Sequence, residues 1–116
     1  MRMFVVPVKT VSEANSHAHW RARSTRAKSH RHAAYVAMHD ALGASREAMR
    51  LTRTIEIVLT RVAPSSGLDS DNLPTSLKHV RDGLADWLGI DDRDPRVTWR
   101  YRQERGPYCV RVEMSA

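Results

Sequence analysis

The chain has 116 residues, of which 41% are hydrophobic and 28% are charged, so its composition excludes a wholly disordered chain and its length allows one small domain. Nineteen Lys and Arg against thirteen Asp and Glu give a formal net charge of +6. A surplus of this size favours a nucleic-acid partner over a merely basic soluble protein, because each neutralised phosphate releases condensed counterions.

Strand-like and helical patterns alternate along the first half of the chain. Residues 3–8 form a short apolar run that predicts a first strand. Alanines are frequent over residues 32–49, around Tyr35 and Met38, which predicts a helix. Apolar and polar side chains largely alternate over residues 54–62, which predicts a strand with one buried face.

The second half predicts a helix and two further strands. Apolar residues recur at helical spacing over residues 73–88, and Gly89 is well placed to end that helix. Residues 97–102 and 108–114 alternate in the manner of strands, and the glycine-proline turn between them predicts a β-hairpin. The order β-α-β-α-β-β predicts a single α+β domain over residues 1–116, with helices packed against a mixed β-sheet.

Acidic residues concentrate in residues 69–92, the acidic segment, at both ends of the second predicted helix. Asp69 and Asp71 precede the helix and lie two residues apart, so in an extended loop both carboxylates project to the same side. Asp92 follows the helix and can join them only if the chain returns beside the helix start. Hard cations such as Mg²⁺ prefer carboxylate oxygens, and a bound cation lets acids approach a phosphate backbone. Spacing alone favours the structural alternative, an ordinary N-cap and turn.

Lys78 and Asp82 lie four residues apart on the helix face opposite the apolar stripe, within about 40° of Asp71. Two interpretations stay open. The first is a surface ion pair that contributes little stability. The second is a lysine held beside the carboxylates, ready to bind a phosphate oxygen.

The motif Asp69-Ser70-Asp71-Asn72-Leu73, followed by Lys78, Asp82 and Asp91-Asp92, resembles the signature of the RusA family of Holliday-junction resolvases. These are small, dimeric, Mg²⁺-dependent endonucleases, often carried by phages. The resemblance implies that Asp69, Asp71 and Asp92 bind Mg²⁺, with Mn²⁺ as a substitute. It implies that these aspartates and Lys78 are catalytic. It also implies a homodimer that cuts branched DNA in recombination and repair.

The chain departs from the family pattern at the lysine. The family lysine follows the second aspartate by four residues, whereas Lys78 follows Asp71 by seven. Three additional residues are nearly one helical turn, so a continuous helix would displace Lys78 by about 60° and one pitch. The motif covers residues 69–92, about a fifth of the chain, and the remaining chain agrees in the order of its elements.

Residues 17–32 form the basic segment, and no acidic residue lies between Glu13 and Asp40. Guanidinium groups bind phosphate bidentately, so contact with the DNA backbone is favoured over a merely solvated charged face. The candidate DNA-binding residues are Arg21, Arg23, Arg26, Lys28 and Arg31. Trp20 offers a stacking surface for an unpaired base. The segment also contains His17, His19, His30 and His32. No cysteine or well-spaced carboxylate completes a zinc site with them, so they are expected to add positive charge at lower pH or to bond to phosphate.

Cys109 is the single cysteine, so no internal disulfide can form. Neither a signal peptide nor a membrane span is expected, and these features together predict a cytoplasmic protein. Trp87 and Trp99 fall on apolar faces and are expected core residues. Two alternatives to a nuclease stay open: a non-catalytic nucleic-acid-binding protein with the same fold, and a structural or partner-binding domain whose acids are caps and turns.

Overall fold

The computed structural model describes residues 2–11, 20–43, 54–65, 67–68 and 72–115. These residues form a four-stranded mixed sheet with helices packed against it, which confirms the predicted α+β class. The elements in chain order are β1 Arg2–Val6, α1 Trp20–Leu42, β2 Ile55–Ala63, α2 Asn72–Ser76, α3 Lys78–Leu88, β3 Val97–Arg105 and β4 Cys109–Ser115. Among the described helices, none is long and apolar enough to span a lipid bilayer.

The strands lie in the order β1-β4-β2-β3, so the predicted hairpin between β3 and β4 is wrong. β4 runs antiparallel to both β1 and β2, whereas β3 runs parallel to β2. β2 separates the last two strands because its residues from Ile57 to Ala63 are all buried, on both faces of the sheet. A strand that is apolar on both faces belongs at the centre of a sheet, and a parallel neighbour reaches it through a helical crossover.

The first helix begins at Trp20 rather than at the predicted residue 32, and its predicted end near residue 49 lies outside the described residues. Arginine, alanine and lysine are good helix formers, and no glycine or proline interrupts residues 20–42. The buried face of α1 is a narrow stripe in which every fourth residue is buried: His30, Ala34, Met38 and Leu42. The many basic residues therefore belong to the helix and not to an irregular segment before it.

The second predicted helix is divided into α2 and α3 at Leu77. The backbone N–H of Leu77 donates to the carbonyl of Pro74 at 3.1 Å, which closes a turn between the two helices. Lys78 is consequently the first residue of α3. Gly89 ends α3 in the left-handed region at φ 72°, as its position in the sequence predicts.

The hydrophobic core lies between one face of the sheet and the helices. Alternate residues of the strands share this face by register, including Ile57, Leu59 and Val112. They join Leu84 and Trp87 in a single buried cluster. Trp87 is 1% exposed, which confirms its predicted place in the core.

Gly83 allows α1 and α3 to approach each other at the level of their backbones. A Cβ atom at Gly83 would lie 2.2 Å from the carbonyl oxygen of Arg31 and 2.8 Å from Cβ of Ala34. No side chain fits at that position without moving one helix. This close crossing holds Arg31 against α3.

Candidate functional site

An acidic cavity of about 220 Å³ lies between α1, α3 and the turn that follows α3. Its charged lining consists of Arg31, Asp82, Asp86, Asp91 and Asp92. Of the three predicted metal ligands, Asp92 lies in this cavity, whereas Asp69 and Asp71 lie outside the described residues. The cavity also contains the carboxylates of Asp82, Asp86 and Asp91. The RusA-like motif does not assign these three residues as metal ligands.

Asp92 returns to the beginning of α3, although it follows the end of that helix in sequence. Nη2 of Arg81, in the first turn of α3, donates to the backbone carbonyl of Asp92 at 2.5 Å. Nε of Arg81 lies 3.8 Å from the Asp92 carboxylate. The turn after Gly89 therefore runs back along the helix. The sequence leaves open whether Asp92 lies far from the start of the helix or beside it. In the structure Asp92 lies beside the first turn of α3.

β3 holds this returning turn in place. Nε1 of Trp99 donates to the carbonyl oxygen of Asp92 at 3.2 Å, and Nη1 of Arg81 donates to the hydroxyl of Tyr101 at 2.7 Å. The guanidinium of Arg81 also lies over the ring of Trp99, 4.9 Å from its centroid. Trp99 packs against the core as predicted but is only partly buried, because its indole N–H faces the turn. Sequence reasoning missed Arg81, which no motif singles out.

Gln103, also on β3, holds the chain on the other side of the acidic segment. Its side-chain amide forms two hydrogen bonds of 2.7 Å with the backbone of Leu68, one to the N–H and one to the carbonyl. Leu68 directly precedes Asp69. Gln103 and Trp99 are four residues apart on one strand, which is roughly 13 Å. One short stretch of β3 thus fixes the chain at Leu68 and again at Asp92.

Three of the cavity's carboxylates already have cationic partners, one of which is the pair of Asp92 with Arg81 described above. Arg31 donates to both oxygens of Asp86, at 2.5 and 2.7 Å. Lys78 donates to Asp82 at 3.2 Å, in the predicted i,i+4 pair. The Lys78 side chain is 62% exposed and reaches the acidic cavity only through Asp82.

Asp91 and Asp92 are the two carboxylates of the cavity that are adjacent in sequence. The backbone N–H of Arg93 donates to Asp91 at 2.8 Å, and this bond together with a hydrogen bond to the Asp92 side chain lowers the pKa of Asp91. Neighbouring carboxylates repel each other, and a cation bound by both removes that repulsion. This pair supplies only oxygen donors, which suits Mg²⁺. Among the described side chains, no group of three or more His, Cys, Asp or Glu has the geometry of a complete metal site.

The candidate DNA-binding residues all lie in the first half of α1, but they do not form one face. At 100° per residue, Arg21, Lys28 and Arg31 fall within about 80° of one another, while Arg23 and Arg26 lie on nearly the opposite side. Trp20 is 65% exposed, beneath the guanidinium of Arg21. His30 is buried and His32 exposed, whereas His17 and His19 lie outside the described residues. Arg31 is the member of the set that borders the acidic cavity.

The Arg31–Asp86 pair predicts an acid-dependent contribution to stability. The two hydrogen bonds from Arg31 lower the pKa of Asp86 below its ordinary value of 3.8. A carboxyl group whose pKa is lowered by folding stabilises the protein above the unfolded pKa, and this stabilisation is lost as the pH falls through the folded value. We therefore expect the free energy of unfolding to depend less on pH between about 5 and 2 in Asp86→Asn than in the wild type.

Urea titrations followed by tryptophan fluorescence at several pH values measure this difference. Asp40→Asn is the matched control, because it removes one exposed aspartate of α1 that lies outside the acidic cavity. If the Asp86→Asn and Asp40→Asn proteins differ from the wild type by the same amount at every pH, the Arg31–Asp86 pair contributes nothing specific.

Comparison with protein-family models, with curated proteins and with solved structures finds no match to this chain. Function is therefore inferred from the sequence motif and from the geometry around the acidic cavity.

Proposed function

We propose that the protein is a divalent-metal-dependent endodeoxyribonuclease that hydrolyses the backbone of branched DNA such as Holliday junctions. The observation that carries the proposal is the return of Asp92 to the first turn of α3, where it shares a cavity with Asp82 and Asp91. Gln103 of β3 binds Leu68, the residue before Asp69, and Trp99 of the same strand binds the Asp92 turn. The contacts of β3 thus favour an arrangement in which both halves of the RusA-like motif act at one site.

In this proposal Asp69, Asp71 and Asp92 hold Mg²⁺ or Mn²⁺, and Asp91 lines the same cavity as Asp92. The cation, when bound, polarises the scissile phosphate and activates a water molecule. Lys78 is bound to Asp82, which lines the cavity. Because the Lys78 side chain is 62% exposed, its ammonium group is available to a phosphate oxygen that approaches from solvent. A continuous helix would have displaced Lys78 by nearly one turn. The structure instead has two separate helices, α2 and α3, and Lys78 is the first residue of α3.

The basic residues of α1 would bind the flanking DNA. Arg31 borders the acidic cavity, while Arg21 and Lys28 extend along the same side of the helix and Arg23 and Arg26 cover the other side. Contacts of this kind go to phosphates and position the duplex without reading bases. A homodimer would present two acidic cavities to two strands of a four-way junction, which itself has two-fold symmetry. A lone cysteine agrees with activity in the reducing cytoplasm.

Cleavage of a synthetic four-way junction tests the proposal directly. We expect the wild-type protein to nick the labelled junction in Mg²⁺ or Mn²⁺, to stop when EDTA is added, and to cut a linear duplex of the same sequence much less. Denaturing gel electrophoresis of the labelled strands gives the rate. A preparation that binds the junction but leaves every strand intact in both metals would exclude the nuclease.

A non-catalytic nucleic-acid-binding protein is the second candidate, and one observation favours it. Asp86, Asp82 and Asp92 are already paired with Arg31, Lys78 and Arg81, so protein cations partner three of the cavity's four carboxylates. This candidate predicts equal junction binding in Mg²⁺ and in EDTA, with no cleavage. Absence of DNA binding even at low salt would instead favour a structural domain whose acids are caps and turns.

A further inference from the structure

A second, smaller cavity of about 110 Å³ lies at the end of β2, away from the acidic cavity, and contains a buried guanidinium. Its lining consists of Arg61, Ser65, Gly67, Gln103, Glu104 and Arg105. Arg61 is only 5% exposed. The space exceeds the roughly 10–15 Å³ that a single water needs, so it admits a larger polar group.

The guanidinium of Arg61 is held in one orientation but is not neutralised. Its Nε donates to the buried hydroxyl of Thr10 at 3.0 Å, which fixes the plane of the group. Among the described residues, no carboxylate forms an ion pair with Arg61 and nothing else accepts from its two terminal nitrogens. Both terminal nitrogens keep some contact with solvent, and Arg61 contributes to the lining of the cavity. A buried charge without a counter-charge is costly, and an anion that enters the cavity removes that cost.

The charges around Arg61 make the cavity attractive to an anion. Arg105 adds a second guanidinium, which likewise has no ion-pair partner in the described part of the chain. Glu104 is the one acid in the lining, and both of its oxygens accept from Arg111, at 2.5 and 3.1 Å. These bonds lower the pKa of Glu104 and neutralise its charge. Two unpaired cations thus face a cavity whose acid is already compensated.

We propose that this cavity binds a phosphate group through the terminal nitrogens of Arg61, with Arg105 and the hydroxyl of Ser65 at its border. A planar guanidinium donates two parallel hydrogen bonds to a phosphate, a geometry that an ammonium group does not reproduce. The ligand is a backbone phosphate of DNA, and this last assignment rests on the proposed function. Gln103 belongs to the lining and also binds Leu68, so the phosphate would lie next to the chain that enters the acidic segment.

Arg61→Gln tests the site, with Arg100→Gln as its matched control. Arg100 is an exposed arginine of β3 that is paired with Glu56 outside the cavity, so the control removes the same charge elsewhere. Fluorescence anisotropy with a labelled four-way junction in EDTA gives the dissociation constant across a salt series, without any cleavage. We expect Arg61→Gln to weaken binding roughly tenfold and to reduce the salt slope by about one phosphate contact. We expect Arg100→Gln to leave the slope unchanged.

Inorganic phosphate supplies a second measurement that does not depend on DNA. We expect phosphate to raise the melting temperature of the wild-type protein above its value in chloride at equal ionic strength, because a ligand that binds the folded state stabilises it. We expect no such rise in Arg61→Gln and a smaller one in Arg61→Lys. If Arg61→Gln does not fold, Arg61→Lys and Arg105→Gln take its place in both measurements.

The outcomes are distinct. A phosphate effect with an unchanged DNA salt slope would show a site for free phosphate and overturn the assignment to the DNA backbone. No phosphate effect in the wild type, together with equal salt slopes for all variants, would overturn the site itself. A phosphate-binding protein that cuts no junction in Mg²⁺ or in Mn²⁺ would keep this inference and refute the nuclease.

Discussion

An Asp92→Asn variant is expected to lose roughly 100-fold or more of the junction-cleavage rate while it retains the fold and the affinity for DNA. A bound divalent cation stabilises transition-state charge by several kcal/mol, and about 1.4 kcal/mol corresponds to a tenfold change in rate. Asparagine keeps the backbone carbonyl that accepts from Arg81 and Trp99, so the turn stays in place. What the substitution removes is the negative charge that would hold the metal.

Two measurements separate this loss from misfolding. Asparagine at position 92 keeps the backbone contacts of the turn and loses only the charge that lies 3.8 Å from Nε of Arg81, so the melting temperature without metal is expected to change by no more than a few degrees. Binding of the junction in EDTA is expected to change less than about threefold, because no phosphate-contacting cation is lost. Asp40→Asn serves as the charge-matched control and should cleave like the wild type. Full cleavage activity of Asp92→Asn would remove Asp92 from the metal site.

Gly83→Ala is expected to lower the free energy of unfolding by about 1–3 kcal/mol, although alanine is the better helix former. Alanine contributes roughly 0.5–1 kcal/mol over glycine within a helix. Its Cβ, however, would lie 2.2 Å from the carbonyl oxygen of Arg31. Backbone cannot move aside as a flexible side chain can, so α1 must shift as a unit, and overpacking of this kind costs more than the propensity returns.

A double-mutant cycle with Ala34→Gly tests whether the helix crossing is the cause. The second contact of the added Cβ would be with Cβ of Ala34 at 2.8 Å, so removing that methyl should offset part of the loss in the double variant. Urea unfolding followed by circular dichroism gives the four free energies. The same shift of α1 would carry Arg31 away from Asp86 and flatten the acid dependence of stability. A Gly83→Ala protein as stable as the wild type would show that the helices are not in backbone contact.

The elements with strong periodicity could be predicted from the sequence, and those defined by their neighbours could not. The apolar stripe of α3 and the left-handed Gly89 are local features, and both are found as predicted. The start of α1 was missed because its buried stripe is one residue in four and most other positions before residue 32 are polar or basic. The hairpin was wrong because alternation within β3 and β4 does not reveal that β2 lies between them. The signal was present in β2 itself, where Val58 and Val62 add a second apolar face.

The candidate site was predictable in its residue types and not in its assembly. The motif singles out Asp92, but its place beside α3 depends on Arg81, Trp99 and Tyr101, which are far apart in sequence. Trp99 has the ordinary pattern of a core residue, and nothing local shows that its indole N–H donates to the turn. Asp82 and Asp91 belong to the motif, yet sequence spacing does not place them in one cavity with Arg31.

The position of β4 has a consequence for how this protein folds. Among the described strands β1 pairs with β4 alone, and β4 also supplies the antiparallel partner of β2, so β4 connects β1 to the rest of the sheet. Contacts such as Arg2 with Met114 span almost the whole chain, and closing loops of that length is slow relative to forming local helices. α1 and α3 can therefore form early, while the sheet is completed only when residues 109–115 have joined it. Synthesis on the ribosome would leave β1 without its partner β4 until residues 109–115 have been made.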